Sequence, residues 1–196
     1  MIYIVRHGQT VWNLEGRKQG QKDSPLTLKG VRQAENVAGI LQTEISDIKK
    51  YSIVISPQWR CQQYASIICD LLGVNFNQCI VDENLREHSF GSWEGNTEEQ
   101  IEQEFPGFLE RRYQPENYWN FVVPKGESYE LLYQRVSKVI DKYQNKKTIF
   151  VCHEMVSKVM RGRLLCLQSK EILPLRHKQN IIYKYDKGTL KELSNE

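Results

Sequence analysis

Four short apolar runs interrupt a chain that elsewhere repeats apolar residues at three- and four-residue spacing. Ile2-Tyr3-Ile4-Val5, Ser52-Ile53-Val54-Ile55, Gln78-Cys79-Ile80-Val81 and Thr148-Ile149-Phe150-Val151-Cys152 favour β-branched and aromatic side chains, which predicts strands. Between them, Val31, Ala34, Val37, Ala38 and Leu41 trace the apolar stripe of a helix with Thr27 as its N-cap. Pro57 suits the first turn of a second helix running to about Leu72. Leu131, Leu132, Val136, Val139 and Ile140 predict a third helix facing the sheet, and Val156, Val159, Met160 and Leu164 a fourth from about Met155 to Leu167. Ile181 to Tyr185, the turn Asp186-Lys187-Gly188, and Thr189-Leu190 suggest a terminal hairpin. Strands alternating with helices imply an α/β fold with helices on both faces of a mostly parallel sheet.

Two stretches break this rhythm. Residues 11–25 are polar and glycine-punctuated, which reads as a loop over the end of the first strand. Residues 90–125 carry Trp93, Phe105, Phe108, Tyr113, Tyr118 and Trp119 without a strand pattern, which reads as a small helical insert beside the sheet. Its aromatics pack the insert, and an insert near a site is where substrate selection usually resides.

Composition narrows the class. A chain of 196 residues is ample for one full core, so residues 1–196 read as a single domain. The 27 Lys and Arg against 24 Asp and Glu are interspersed, so nothing calls for nucleic acid or an anionic membrane as partner. Five cysteines (Cys61, Cys69, Cys79, Cys152, Cys166) lie scattered without paired spacings, which reads as reduced and cytoplasmic. No apolar run approaches the roughly 18 residues of a membrane span, and the first strand begins at once, leaving no room for a signal peptide.

Candidate chemistry enters through position. Arg6 and His7 follow the first strand, Arg60 lies one helical turn past the second, and His153 follows the strand at 148–152. The carboxyl ends of parallel strands gather on one edge, where ligands bind. Two guanidiniums and two imidazoles meeting there form a site for a compact dianion such as phosphate, whose oxygens match the guanidinium fork. Asn13, Gln19 and the Gly20 amide could donate to an oxyanion, although Gln19 also fits an ordinary surface loop. No His or carboxylate pair has metal-ligand spacing, and no Ser or Cys has a supporting pattern. His7 is thus the candidate nucleophile, kept neutral by Arg6 and Arg60 and held through one ring nitrogen by a backbone carbonyl of the turn. His153 would steady the transferring phosphoryl group. A departing alcohol needs a proton, and a buried carboxyl beside a dianion is suited to give it. From the residues alone Glu83, Glu87 and Glu94 remain equal.

At these positions the chain resembles the histidine phosphatase superfamily, which includes the cofactor-dependent phosphoglycerate mutases. The resemblance rests on Arg6-His7-Gly8-Gln9-Thr10 with Asn13, Gly16, Gln19-Gly20 and Asp23-Ser24-Pro25-Leu26-Thr27 behind it. It continues through Ser56-Pro57, Arg60 and Gln63; Leu85, Glu87, Phe90-Gly91 and Trp93-Glu94-Gly95; Gly126-Glu127-Ser128; and Cys152-His153. It implies a three-layer α/β/α sandwich and no metal or other cofactor. It also implies His7 as the phosphohistidine, Arg6, Arg60 and His153 as phosphoryl ligands helped by Asn13, Gln19 and Gly20, and Glu87 as the general acid.

Two positions depart from the family pattern. Glu154 stands where the family usually has Gly, bringing a negative charge near a dianion site, and Tyr64 replaces a Thr. Mutases of the family are longer and carry a Lys shortly after the Trp-Glu-Gly region, where this chain reads Asn96-Thr97-Glu98-Glu99. Arg111 and Arg112 could supply some of the cations a mutase needs, but the acidic insert favours hydrolysis of a small phosphorylated metabolite. A mutase is the second reading and a non-catalytic phosphoryl-binding protein the third. A pure binder has no need of a nucleophile together with an acid. Sugar phosphate, phosphoglycerate, nucleoside-like phosphate and phosphoprotein all stay open as substrates, and so does oligomeric state.

Overall fold

In a computed structural model of the chain, which describes residues 1–114 and 116–195, the strands and helices alternate as the pattern requires. In order they are β1 (Ile2–Arg6), α1 (Val11–Leu14), α2 (Leu28–Glu44), β2 (Ser52–Ile55), α3 (Trp59–Leu71), β3 (Ile80–Val81), α4 (Glu98–Glu104), α5 (Phe108–Tyr113), α6 (Tyr129–Tyr143), β4 (Thr148–Cys152), α7 (Glu154–Leu164), α8 (Ser169–Ile172), β5 (Ile182–Asp186) and β6 (Thr189–Leu193). One six-stranded sheet has the order β3-β2-β4-β1-β5-β6. The first four of these run parallel, while β5 pairs antiparallel with β1 and β6 with β5.

Strands β1, β2 and β4 are buried on both faces, and the two-residue period of the strands sorts side chains between two cores. Tyr3, Val5, Ile53, Ile55, Ile149 and Val151 pack with Ala34, Val37 and Leu41 of α2 and Ala65 and Ile68 of α3. Ile2, Ile4, Val54, Phe150 and Cys152 pack with Leu132, Val136 and Ile140 of α6 and Val156 and Met160 of α7. These are the three layers of an α/β/α sandwich. A third, smaller cluster of Phe90, Trp93, Ile101 and Val123 holds the insert together. Among the described residues no helix is long and apolar enough to cross a membrane.

Several boundaries differ from the sequence expectation for local reasons. Residues 11–14 form one helical turn rather than loop, because Thr10 and Asn13 make a reciprocal capping box. Pro57 precedes the helix instead of opening it: α3 starts at Trp59, and its N-cap Gln58 makes no side-chain capping bond. Gln78 and Cys79 belong to a tight turn, so β3 is only Ile80–Val81 on the sheet edge. α7 begins one residue early at Glu154 and stops at Leu164, ahead of Cys166 at φ +55°. Leu131, expected on the sheet face of α6, is 51% exposed because that face is centred on Leu132, Val136 and Ile140.

Strand register positions the site. Arg6 pairs with Cys152 and Ile55 with Val151, so the carboxyl ends of β1, β4 and β2 are level. The ladder carries one step further, with the His7 N–H on the Cys152 carbonyl and the Ser56 N–H on that of Val151, both at 3.0 Å. His7, His153 and Ser56 are therefore delivered together at the centre of the sheet.

Candidate active site

His7 leaves β1 into a turn with no room for side chains. A Cβ at Gly8 would collide with the Gly30 backbone of α2 and the Tyr64 ring of α3. Tyr64 thus acts through packing, closing the floor beneath the turn. The His7 Nδ1 lies 2.8 Å from the Gly8 carbonyl, which can only accept, so Nδ1 carries the proton and Nε2 keeps its lone pair. That Nε2 accepts from Arg60 Nε at 3.3 Å. Burial, then the charges of Arg60 and Arg6, hold the imidazole well below its ordinary pKa, so it is neutral near pH 7.

Arg60 is fully buried, and the loop after β1 is built around it. It donates through Nη1 to the Lys22 carbonyl at 2.7 Å and to Asp23 Oδ1 at 2.8 Å, and through Nη2 to the Gly20 carbonyl at 2.7 Å. The Asp23 carboxylate also accepts the Trp59 and Arg60 backbone N–H groups, at 2.9 and 3.3 Å. It therefore caps α3, which its own N-cap residue leaves uncapped, and offsets the unfavourable placement of a cation in a first turn.

The His153 ring meets that of His7 edge-on, centroids 5.2 Å apart. Its Nε2 is 2.7 Å from Ser56 Oγ, and the Cys61 thiol packs beside it. Burial and then Arg60 hold it, too, well below the ordinary imidazole value. It backs His7 without lining the cavity.

Glu87 enters from the loop after β3. Its Oε1 accepts from the His88 N–H at 2.9 Å, and its Oε2 more weakly from the Met155 N–H, in the first turn of α7, at 3.4 Å. Burial raises its pKa above the usual carboxylate value, against the pull of the His88 N–H and the Arg60 charge. Gln58 spans the site, accepting from the Glu87 N–H at 2.6 Å and donating to the Gly20 carbonyl at 2.9 Å. Arg135 of α6 donates to the Glu87 carbonyl at 3.0 Å while forming a two-pronged pair with Glu127.

Arg6 does not stand free. Its Nη1 donates to the His177 carbonyl at 2.6 Å and lies 2.9 Å from Glu154 Oε2. Asn13 Oδ1 accepts from the Thr10 N–H at 3.2 Å and from Gln179 at 2.9 Å, so the remaining hydrogen-bonding group of its side chain is a donor. Gln19 is turned into its own loop, accepting from Thr10 and donating to Ser24. Gly20 sits at φ +54°, where a Cβ would run into the Glu94 carboxyl group. Arg6, His7, Asn13, Gln19, Gly20, Arg60 and Glu87 all line one cavity of about 140 Å³. A larger cleft of about 530 Å³ lies beside Met1 and Tyr185, at the amino end of β1, and holds no comparable set. Chemistry, not volume, selects the site.

Sequence reasoning missed Asp23, Ser56, Gln58, Arg135 and Gln179 as supports. Only Asp23 and Ser56 fell within quoted motifs. Gln58, the N-cap of α3, Arg135 of α6 and Gln179 make contacts that span 29, 48 and 166 positions of the chain, which local spacing does not encode. Arg111 and Arg112, considered as extra cations, do not reach the cavity: Arg112 is buried among Phe90, Trp93, Tyr118 and Tyr129, and Arg111 lies over Phe108.

Residues 2–191 match the histidine phosphatase superfamily (branch 1). The chain is 30% identical over 189 residues to a probable phosphoglycerate mutase GpmB of Erwinia tasmaniensis, covering 94% of this chain and 84% of that one. It is 38% identical over 139 residues to the protein of the same name from Enterobacter, a match spanning 71% of this chain but 60% of the relative. The alpha-ribazole phosphatase structure from Shigella flexneri superposes with a TM-score of 0.82 at 25% identity, covering 99% of this chain and 96% of that one.

Proposed function

Because the chain belongs to branch 1 of the histidine phosphatase superfamily, we propose that it is a metal-independent phosphomonoesterase acting on a small phosphorylated metabolite through a phosphohistidine. The observation that carries this reading is the orientation of His7: Nδ1–H tied to the Gly8 carbonyl, Nε2 unprotonated at a cavity lined by Arg6, Arg60 and Glu87. Nε2 attacks phosphorus as the ester P–O bond breaks, and the Glu87 carboxyl gives its proton to the departing oxygen. In the second half, Glu87 takes a proton from water, which attacks phosphorus; the P–N bond breaks, and phosphate and neutral His7 are released. Arg6 and Arg60 offset the charge on the phosphoryl oxygens, with Asn13 and the Gly20 loop as further donors, while His153 holds the neighbouring ring in place. The free thiols of the five cysteines fit a reducing cytoplasm.

The relatives named as mutases favour a second reading, transfer between positions of phosphoglycerate primed by a bisphosphate. A mutase must retain that bisphosphate through cations beyond the phosphoryl site; Arg111 and Arg112 are not placed to provide them, and Arg17 and Lys18, which do line the cavity, are paired with Glu15 and Glu98. Turnover of p-nitrophenyl phosphate in EDTA, lost in His7→Ala, with acid-labile phosphate trapped on His7, is the expected result. Bisphosphate-dependent transfer without phosphate release would establish the mutase instead, and absence of both activities the binder.

A further inference from the structure

Every cation lining the cavity already has a carboxylate partner. Arg6 is paired with Glu154 at 2.9 Å, Arg17 with Glu15 at 2.6 Å, Lys18 with Glu98 at 2.6 Å and Arg60 with Asp23 at 2.8 Å. Of these four carboxylates only Glu154 itself lines the cavity. It opens α7 directly after His153 and is partly exposed to the cleft. It does not simply cancel Arg6, because the guanidinium divides its donors. Nη1 serves Glu154 and the His177 carbonyl, whereas Nε is buried and has no partner. The Arg6 side chain as a whole lines the cavity and is partly exposed, so its guanidinium can take a phosphoryl oxygen while the Glu154 pair stays intact.

We propose that Glu154 is a specificity-determining residue that selects phosphomonoesters whose leaving group carries hydroxyl donors and rejects those bearing a second acidic group. The inference rests on the phosphoryl-site reading above and names the substrate class of that site. A hydroxyl at the far end of a short leaving group, as on C1 of glycerol 3-phosphate, can donate to the Glu154 carboxylate. A carboxylate or second phosphoryl group in the place of that hydroxyl meets a like charge, and among the described residues no unpaired cation lines the cavity to receive it. The same arrangement disfavours a bisphosphate, which a mutase would have to hold.

The test compares two esters that differ at one carbon, glycerol 3-phosphate and 3-phosphoglycerate, by calorimetric binding to His7→Ala, which cannot turn them over. Glycerol 3-phosphate should bind at least about tenfold tighter, roughly the discrimination one unfavourable charge contact provides. Adding Glu154→Gln should shrink the ratio to within about threefold, chiefly by tighter 3-phosphoglycerate binding, and Glu154→Gly should do the same if the amide perturbs folding. Equal binding of the two esters, tighter binding of 3-phosphoglycerate, or a ratio unmoved by both substitutions overturns the proposal. Because binding is read without turnover, this failure is distinct from failure of the phosphatase reading, which shows as absence of p-nitrophenyl phosphate hydrolysis by the unsubstituted enzyme.

Discussion

Asp23 and Arg60 form the joint on which the phosphoryl loop is hung. They are 37 positions apart, and one carboxylate both pairs with the buried guanidinium at 2.8 Å and caps the helix that carries it. Removing it leaves an unpaired buried cation and an uncapped helix together. Asp23→Ala should therefore lower unfolding stability by about 3 kcal/mol, read by urea titration, and reduce kcat/KM more than tenfold. A change under about 0.5 kcal/mol would mean that the pair is solvent-relaxed.

Stability should fall in acid with an unusual proton uptake. Burial holds His7, His88 and His153 well below the ordinary imidazole value, and His177 at about 3. These four are all the histidines of the chain. With folded pKa values depressed, the unfolded chain binds these protons first. Their contribution is complete above about pH 6.5 and is lost as pH drops, each group costing about 1.4 kcal/mol per pH unit. Glu87, raised by burial, opposes this as one group of opposite sign. Urea midpoints should show proton uptake on unfolding that rises from about one near pH 7 to three to four near pH 5; uptake near zero would place the imidazoles in contact with water.

Glu87→Gln should slow phosphoenzyme formation chiefly for esters of poorly leaving alcohols and little for p-nitrophenyl phosphate, whose phenolate departs without help. In the unsubstituted enzyme, turnover of alkyl phosphates should decline as pH rises through the elevated Glu87 value, and the substitution should flatten that limb. Rapid-quench rates across a leaving-group series check both, and equal slowing throughout would remove Glu87 as the proton donor.

Two glycines in the same loop separate backbone strain from site geometry. Both have positive φ, but a Cβ at Gly20 meets the Glu94 carboxyl, whereas one at Gly16 meets nothing within 4 Å. Glu94 in turn accepts from the Gln21 and Phe90 N–H groups, tying the loop to the insert. Each substitution to Ala should cost about 1 kcal/mol through φ. Only Gly20→Ala should also lower kcat/KM, by tenfold or more, because its carbonyl positions Arg60. Matching kinetics for the two variants would contradict this.

While Glu87 was singled out only by the family resemblance, the sequence alone determined the α/β class, the strands after which His7 and His153 stand, and the gathering of Arg6, His7 and Arg60 at one sheet edge. These follow from local physics: a run of β-branched residues buries as a strand, and parallel strands bring their carboxyl ends to one edge. It also showed Glu154 as out of pattern, but not where its side chain goes. Tertiary structure decided that Glu154 meets Arg6, that Arg112 is caged by aromatic rings away from the site, and that Leu131 faces solvent. It alone revealed Gln58 and Arg135 as the supports of Glu87. The exposure of Leu131 follows from which face of α6 meets the sheet, and the others depend on which segment lies over which strand end. That placement comes from packing between segments tens of residues apart, which hydrophobic spacing along the chain does not record.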